Sequence, residues 1–292
     1  MDSNKAYAGH ILALCTVIVW GITFVSTKIL LVEFQAIEIA MFRFILAFLF
    51  LNIIMPARLH VRDWKRELYF IGAGLTGVTL YFMTENVALI YTSAANVGVI
   101  ISTVPFFTAI VGRVFFKGKK FTKKFLLGFV VAMAGIIAIT YNGATELQLN
   151  PMGDLLTLAA AMAWAFYSNF VNKISTWSYP MIQVTRRIFF YGILFMIPFT
   201  IFLPFEWNLG RLANGVYLGN LLYLGFVASG ICFVTWNIAV RKIGTVKTTI
   251  YIYLSPVVTI IASVIVLDEP MTVVTFAGVI LTTIGLVISG RE

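Results

Sequence analysis

GHILALCTVIVW, residues Gly9–Trp20, and GDLLTLAAAMAW, residues Gly153–Trp164, are two copies of one segment. Glycine and tryptophan recur at an offset of 144 residues (153 − 9 and 164 − 20), with an apolar stretch between them. Farther along, Asn86 and Pro105 recur as Asn237 and Pro256 at an offset of 151, and Gly128 and Gly135 recur as Gly278 and Gly285 at an offset of 150. An offset that drifts by only a few residues over half a chain marks a single duplication with altered loops. The two expected units are residues 1–144 and 145–292.

Hydrophobic residues make up 60% of the 292 and charged residues 11%, against roughly 25% charged in soluble domains. About twenty apolar residues cross a bilayer as a helix, and the chain offers one such run after another with short connections. The expected spans are roughly 8–30, 36–55, 68–90, 94–116, 124–142, 152–172, 179–203, 214–240, 245–267 and 272–290. That is an all-α membrane protein of ten helices, five in each unit. An odd number of spans per unit forces the second copy into the opposite orientation. Two inverted five-helix repeats around a central cavity are the ground plan of many secondary transporters.

A net charge of +9 could signal nucleic acid, but the placement of the charges assigns them to topology. With the N-terminus inside, the cytoplasmic segments hold Lys5, then Arg58, Arg62, Lys65 and Arg66, then Arg113, Lys117, Lys119, Lys120, Lys123 and Lys124. Lys173, the group Arg241, Lys242 and Lys247, and Arg291 complete that set. External segments carry Glu33, Glu146, Glu206, Asp268 and Glu269, with Arg211 the exception. This is the positive-inside pattern, and it predicts a multi-pass protein of the cell membrane with both termini cytoplasmic. The expected partners are the lipid bilayer and a small molecule, with protons as a candidate coupling ion and no nucleic acid. The first apolar run lacks a small-residue cleavage pattern and reads as a retained helix.

Several chemistries lack their motifs. Gly118-Lys119 has neither the upstream glycine nor the following Ser/Thr of a phosphate loop. His10 and His60 are isolated, and no cluster has metal-ligand spacing. No cofactor, metal site or catalytic group is expected, since neither a nucleophile elbow nor a zincin helix is present. Repeated pore loops are absent too, which disfavours a channel. Cys15 and Cys232 fall inside predicted helices as small packing residues.

Ionisable groups at membrane depth cost roughly 2.5–3.5 kcal/mol on insertion scales, so each calls for a partner or a wet cavity. Glu85 lies in the third span, Arg43 in the second, Arg186 and Arg187 in the seventh, and Lys28 near the end of the first. Glu85 is a candidate for substrate or proton binding. The alternative is a structural ion pair with Arg43 or Lys28, which leaves a carboxylate ionised and inert. Arg186 and Arg187 match Arg43 in position; these arginines either contact a substrate carboxylate or snorkel and bond carbonyls to tie the repeats together, and Arg186 and Arg187 lie close enough to the cytoplasmic end to snorkel.

Trp20 and Trp164 sit mid-helix, away from the interfacial belt where tryptophan collects. Tyr81 and Glu85, four residues apart, share a helix face, and the position matching Glu85 is Trp236. With Tyr167, Tyr251 and Tyr253 these rings suggest an aromatic-walled cavity with one acid, suited to an amine, a zwitterion or a planar metabolite; ordinary ring packing is the competing explanation. Asn86 and Asn237 read as interhelical hydrogen-bonding groups, and Asn96, Asn169 and Asn172 as further candidates for the cavity wall. Pro105 and Pro256 break the fourth span of each unit and serve as candidate hinges. Gly128 with Gly135, and Gly278 with Gly285, allow close packing of the last span of each unit.

In order and in duplicate, the mid-helix tryptophans, the second-span arginines, Asn86-Val87-Ala88-Leu89 with Asn237-Ile238-Ala239-Val240, the two prolines and the acidic turn Asp268-Glu269-Pro270 form a set. That set resembles the drug/metabolite transporter superfamily, in particular its ten-helix branch of two EamA repeats. The resemblance covers almost the whole chain. It implies an inverted-repeat basket, a cavity lined by the first, third, fourth, sixth, eighth and ninth helices, and alternating access that exports, or less often imports, small metabolites such as amino acids. Two departures stand out: Phe116-Lys117-Gly118-Lys119 lacks the acid that Glu269 supplies in the second copy, and the first span lacks the glutamate that small four-helix relatives use for proton coupling. The expected substrate-binding set is Trp20, Tyr81, Glu85, Asn96, Trp164, Tyr167, Trp236 and Tyr251. The leading expectation is an exporter of amino acids or related metabolites. An importer of a cationic metabolite is the nearest alternative, and an intramembrane enzyme or a lipid scramblase the alternatives of another class.

Overall fold

The structure is a computed structural model that describes residues 3–92, 94–118, 122–140, 150–258 and 273–290. Its described residues form ten helical rods. In the first half, α1 (Ser3–Leu30) and α2 (Ala36–Ile54) are continuous. The rod α3 covers 64–91: two α-helical pieces, Trp64–Gly74 and Tyr81–Tyr91, are joined by a π-helical segment, Leu75–Leu80. α4 is split into Ala94–Ile101 and Val104–Phe115, and α5 is Lys123–Thr140.

The second half repeats this plan. α6 (Pro151–Ser175) and α7 (Met181–Phe202) are continuous. α8 covers 215–243, with a π segment, Tyr223–Ile231, between Gly215–Leu222 and Cys232–Ile243. α9 starts as Thr245–Thr249, tightens into a 3-10 segment, Ile250–Leu254, and resumes as α-helix over 255–258. α10 is Val273–Gly290. The far part of the expected ninth span, the Asp268-Glu269-Pro270 turn, Glu146, Lys119, Lys120 and Arg291 lie outside the described residues. By length and composition alone, Ala6–Leu30, Ala36–Ile54, Asn96–Phe115, Met181–Phe202 and Gly215–Ile243 are each long and apolar enough to cross a membrane.

Local sequence sets the ends of these rods. The Asn150 side chain accepts from the backbone of Met152 and Gly153, and Pro151, with no N–H to satisfy, opens α6. Asp63 accepts from the Lys65 backbone to start α3. Gly244, at φ 84° and ψ 163°, makes the tight connection from α8 to α9 in a region that glycine alone enters freely.

The irregularities recur along with the sequence. An offset of 151 carries the π segment 75–80 onto 226–231, inside the second π segment. The break in α4 falls at Ser102 and Thr103, just ahead of Pro105, and the 3-10 segment of α9 ends just ahead of Ser255 and Pro256. Each proline lacks the N–H that would have carried the helix through.

The two halves interlock. α1 packs on α8 and α6 on α3; α2 packs on the π segment of α8 and α7 on α3; α5 pairs with α10. Small residues let backbones approach at these crossings, where lipid offers no hydrophobic drive. A Cβ on Gly135 would lie 2.5 Å from the Thr282 backbone nitrogen, and one on Gly128 would collide with that of Ser289. Gly74 meets Ile188, Tyr191 and Gly192 of α7, and its counterpart Gly225 meets Arg43 and Leu46 of α2.

Arginine ties the halves together at both ends of the bundle. At one end Arg187 donates to both carboxylate oxygens of Glu67 at 2.6 and 2.8 Å and to the Leu59 carbonyl, while Arg186 donates to the carbonyls of Met55 and Ala57. At the other end Arg211 donates to both oxygens of the fully buried Glu38 at 3.0 and 3.1 Å and to the Glu33 carbonyl. The one cation among the acidic loops is thus held by its own carboxylate.

Candidate functional site

Repeat-equivalent rings face each other in the middle of the bundle, at the pseudo-two-fold axis that relates the halves. Trp20 and Trp164 stand edge to face with centroids 5.2 Å apart, and Phe82 and Phe233 (82 + 151) lie 6.1 Å apart. A central cavity adjoins them. Two more equivalent pairs line it, Ile101 with Ile252 and Val104 with Ser255, each just ahead of its helix-breaking proline. The six remaining lining residues, Val17, Thr23, Phe24, Arg43, Tyr81 and Glu85, all come from the first half. The cavity therefore lies off the axis, inside the first repeat.

Its volume of about 40 Å³ leaves room for about three waters at the ~10–15 Å³ each needs on this measure. Anything the size of an amino acid requires the aromatic walls to part. Glu85 is 3% exposed, and its Oε2 has no hydrogen-bond partner among the described residues; the same holds for Nε1 of Trp164. Trp20, by contrast, donates from Nε1 to the Ala228 carbonyl at 2.9 Å. Arg43, 2% exposed, donates from Nε to Ser229 Oγ at 3.0 Å and lies 4.3 Å over the Phe82 ring. Orphaned polar atoms are expensive at this depth, and both belong to residues of the cavity wall.

The alternative raised for Glu85, a structural ion pair, finds no bridging contact. Among the described residues neither Arg43 nor Lys28 bridges Glu85, and Lys28 instead donates to the Thr92 carbonyl at 3.1 Å. Ser229 of the second half holds Arg43, and the Thr92 carbonyl holds Lys28.

Of the expected binding residues, Trp20, Tyr81, Glu85 and Trp164 line the cavity, while Asn96, Tyr167, Trp236 and Tyr251 do not. Asn96 donates to Thr92 Oγ1 at 2.9 Å and to Asp154 Oδ1 at 2.5 Å, fastening α4 to the start of α6. Tyr167 donates to Asn237 Oδ1 at 2.7 Å, and Asn237 donates to Thr185 Oγ1, a chain that joins α6, α8 and α7. Trp236 is fully buried behind Trp20, with its ring 4.9 Å away. Tyr251 pairs with His10 Nδ1 at 2.9 Å. Tyr253 packs in a cluster with Phe125 and Ile136. Asn86 donates to the Ala36 carbonyl, Asn169 to those of Thr108 and Ala165, and Asn172 is exposed. Phe82, Phe233, Phe24 and Thr23 were missing from the expected wall. The first two were legible as an equivalent pair beside Tyr81, and Phe24 stands one turn from Trp20 on the same face.

A profile of the EamA-like transporter family matches residues 7–141 and again residues 151–291. The chain belongs to this family. An "Uncharacterized transporter" of Archaeoglobus fulgidus is 30% identical over 94% of this chain and 96% of its own length. A "Probable amino-acid metabolite efflux pump" of Escherichia coli (strain K12) is 28% identical over 96% and 93%. A "Probable terminal-alkyne amino-acid exporter" of Streptantibioticus cattleyicolor is 24% identical over 95% and 91%. A solved crystal structure shares the fold with a TM-score of 0.74 at 19% identity, covering 99% of this chain and 96% of that one. This EamA-like transporter is a multi-pass membrane protein with a small-molecule substrate.

Proposed function

We propose that this transporter exports amino acids or closely related small metabolites, binding them in the off-axis cavity and exposing them to the two sides of the membrane in turn. The observation that carries this reading is the pairing of an unpartnered carboxylate oxygen on Glu85 with the Arg43 guanidinium in one aromatic-walled space. A zwitterion needs that complement: the carboxylate of Glu85 for its ammonium group, the guanidinium of Arg43 for its carboxylate, and Tyr81, Trp20 and Trp164 for its apolar part. The names of the Escherichia coli and Streptantibioticus cattleyicolor relatives agree with export of amino-acid compounds. The charge pattern of the loops supports cytoplasmic termini. Matched interruptions at Pro105, Pro256 and the two π segments supply joints about which each half can bend.

The test is counterflow of radiolabelled amino acids in proteoliposomes of purified protein, repeated in vesicles of opposite orientation. Saturable exchange of zwitterionic amino acids, with competition by the unlabelled compound, is expected. No saturable flux of any amino acid would overturn the reading, and flux favoured toward the cytoplasmic face would overturn its direction. Because neither Arg43 nor Lys28 bridges Glu85, its carboxyl is also free to carry a proton when substrate is absent. Transport by Glu85→Gln that keeps the full pH dependence of the wild type removes that coupling role.

A further inference from the structure

A second cavity lies away from the central one, between the end of α2, the loop that follows it and the start of α7, with a volume of about 400 Å³. Its polar wall carries Arg58, His60, Arg186 and Arg187. Glu67 neutralises Arg187. No carboxylate pairs with Arg58 or Arg186 among the described residues, and Arg186 spends its donors on two backbone carbonyls. The three arginines and one glutamate thus leave two positive charges without a counter-ion, one of them on a side chain in a residue only 7% exposed. Like charges held beside a cavity call for an anion.

The rest of the groove is apolar. Phe48 and Phe190 form its floor, with ring centroids 6.5 Å apart. Along the same helices Leu49 of α2, beside Phe48, is 51% exposed and Leu194 of α7, one turn beyond Phe190, is 46% exposed, an oily surface leading from the charges along the bundle. A free anion would use the arginines and gain nothing from this surface. A ligand with a phosphate head and hydrocarbon chains uses both, and basic pockets between helices at a membrane face hold lipid headgroups of that kind.

We propose that this groove binds an anionic phospholipid, with its phosphate against Arg58 and Arg186 and its acyl chains along the exposed faces of α2 and α7. The lipid would then bridge the halves at the end where Arg186 and Arg187 already clamp the α2–α3 loop.

Native mass spectrometry of the purified full-length protein, titrated separately with phosphatidylglycerol and phosphatidylcholine, tests the proposal. Phosphatidylglycerol should bind the tighter of the two. Arg58 is exposed and outside the central cavity, so Arg58→Gln should fold normally and weaken phosphatidylglycerol binding about fivefold, the worth of one interfacial basic residue, with phosphatidylcholine unchanged. Arg58→Glu should weaken it further. Lys173→Gln removes an exposed charge elsewhere and should leave the preference intact. Equal binding of the two lipids, or an Arg58→Glu protein that keeps the wild-type preference, overturns the proposal. An equal loss in Lys173→Gln overturns it in favour of diffuse attraction, and displacement by inorganic phosphate of matching affinity overturns it in favour of a free-anion site.

Discussion

The cavity wall of the first repeat and the corresponding surface of the second are built on one plan and put to different uses. Glu85 lines the cavity and its counterpart Trp236 is fully buried behind it; Tyr81 lines the cavity and Cys232 is 3% exposed; Arg43 reaches the cavity, whereas Arg187 clamps Glu67 at the membrane face. What the halves share is mechanical: facing tryptophans and phenylalanines, π segments, breaks ahead of proline, and glycine crossings. What they do not share is ionisable chemistry. On the proposed function, the duplicated frame supplies the joints and the few matched positions that diverged supply recognition.

The comparison breaks first at Glu85. Glu85→Gln keeps the shape and removes the charge, so counterflow of a zwitterionic amino acid should fall about 10–100-fold, the worth of one charge-assisted hydrogen bond at roughly 1.5–3 kcal/mol. Trp236→Phe at the matched position should leave substrate affinity within about threefold, because its cost is spent on packing. If both variants transport alike, recognition is not seated in the first repeat.

The clamps give the next effects in size. Arg211→Ala strands Glu38, which is fully buried, without its cation. A loss of about 3 kcal/mol is expected, read as a lower unfolding temperature in detergent, with Glu38→Gln in the Arg211→Ala background restoring part of it. Glu67, at the opposite end, keeps 18% of its side chain exposed and retains the Tyr191 hydroxyl at 2.5 Å. Arg187→Gln should therefore cost only about 1 kcal/mol. Equal destabilisation by the two variants would mean that the ends are held alike, contrary to their burial.

Much of this was readable from the chain. The recurrence of Trp20 as Trp164 and of Pro105 as Pro256 gave the repeat, and the odd number of spans gave its inversion. Trp20, Tyr81, Glu85 and Trp164 were legible because mid-membrane tryptophan and carboxylate are out of place unless a cavity receives them. Tyr167, Trp236, Asn96 and Tyr251 fall outside the cavity wall, because helical periodicity tells which face a residue shares and not which neighbouring helix covers that face. Tyr167 lies one turn from Trp164, yet Asn237 of α8 takes its hydroxyl. The π segments left no mark in the sequence, since they shift the register of backbone bonds without demanding a particular side chain. The position of Arg186 and Arg187 leaves a substrate contact and carbonyl bonding both open, and the loop that they hold, 55–59, has no signal of its own.

Alternating access carries the comparison one step further. If the halves exchange conformations, the wall that now belongs to the first repeat gives way to its counterpart in the second, which includes Cys232 at the place of Tyr81. Ser168 Oγ and Trp236 Nε1, buried on that counterpart wall without hydrogen-bond partners among the described residues, would then meet solvent or substrate. The most direct measurement is alkylation of Cys232 by a water-soluble maleimide in a Cys15→Ala protein, at rest and during amino-acid counterflow. The account predicts slow labelling at rest and labelling that accelerates at least tenfold with substrate turnover. Cys232 that stays unreactive while counterflow runs at its full rate would contradict it.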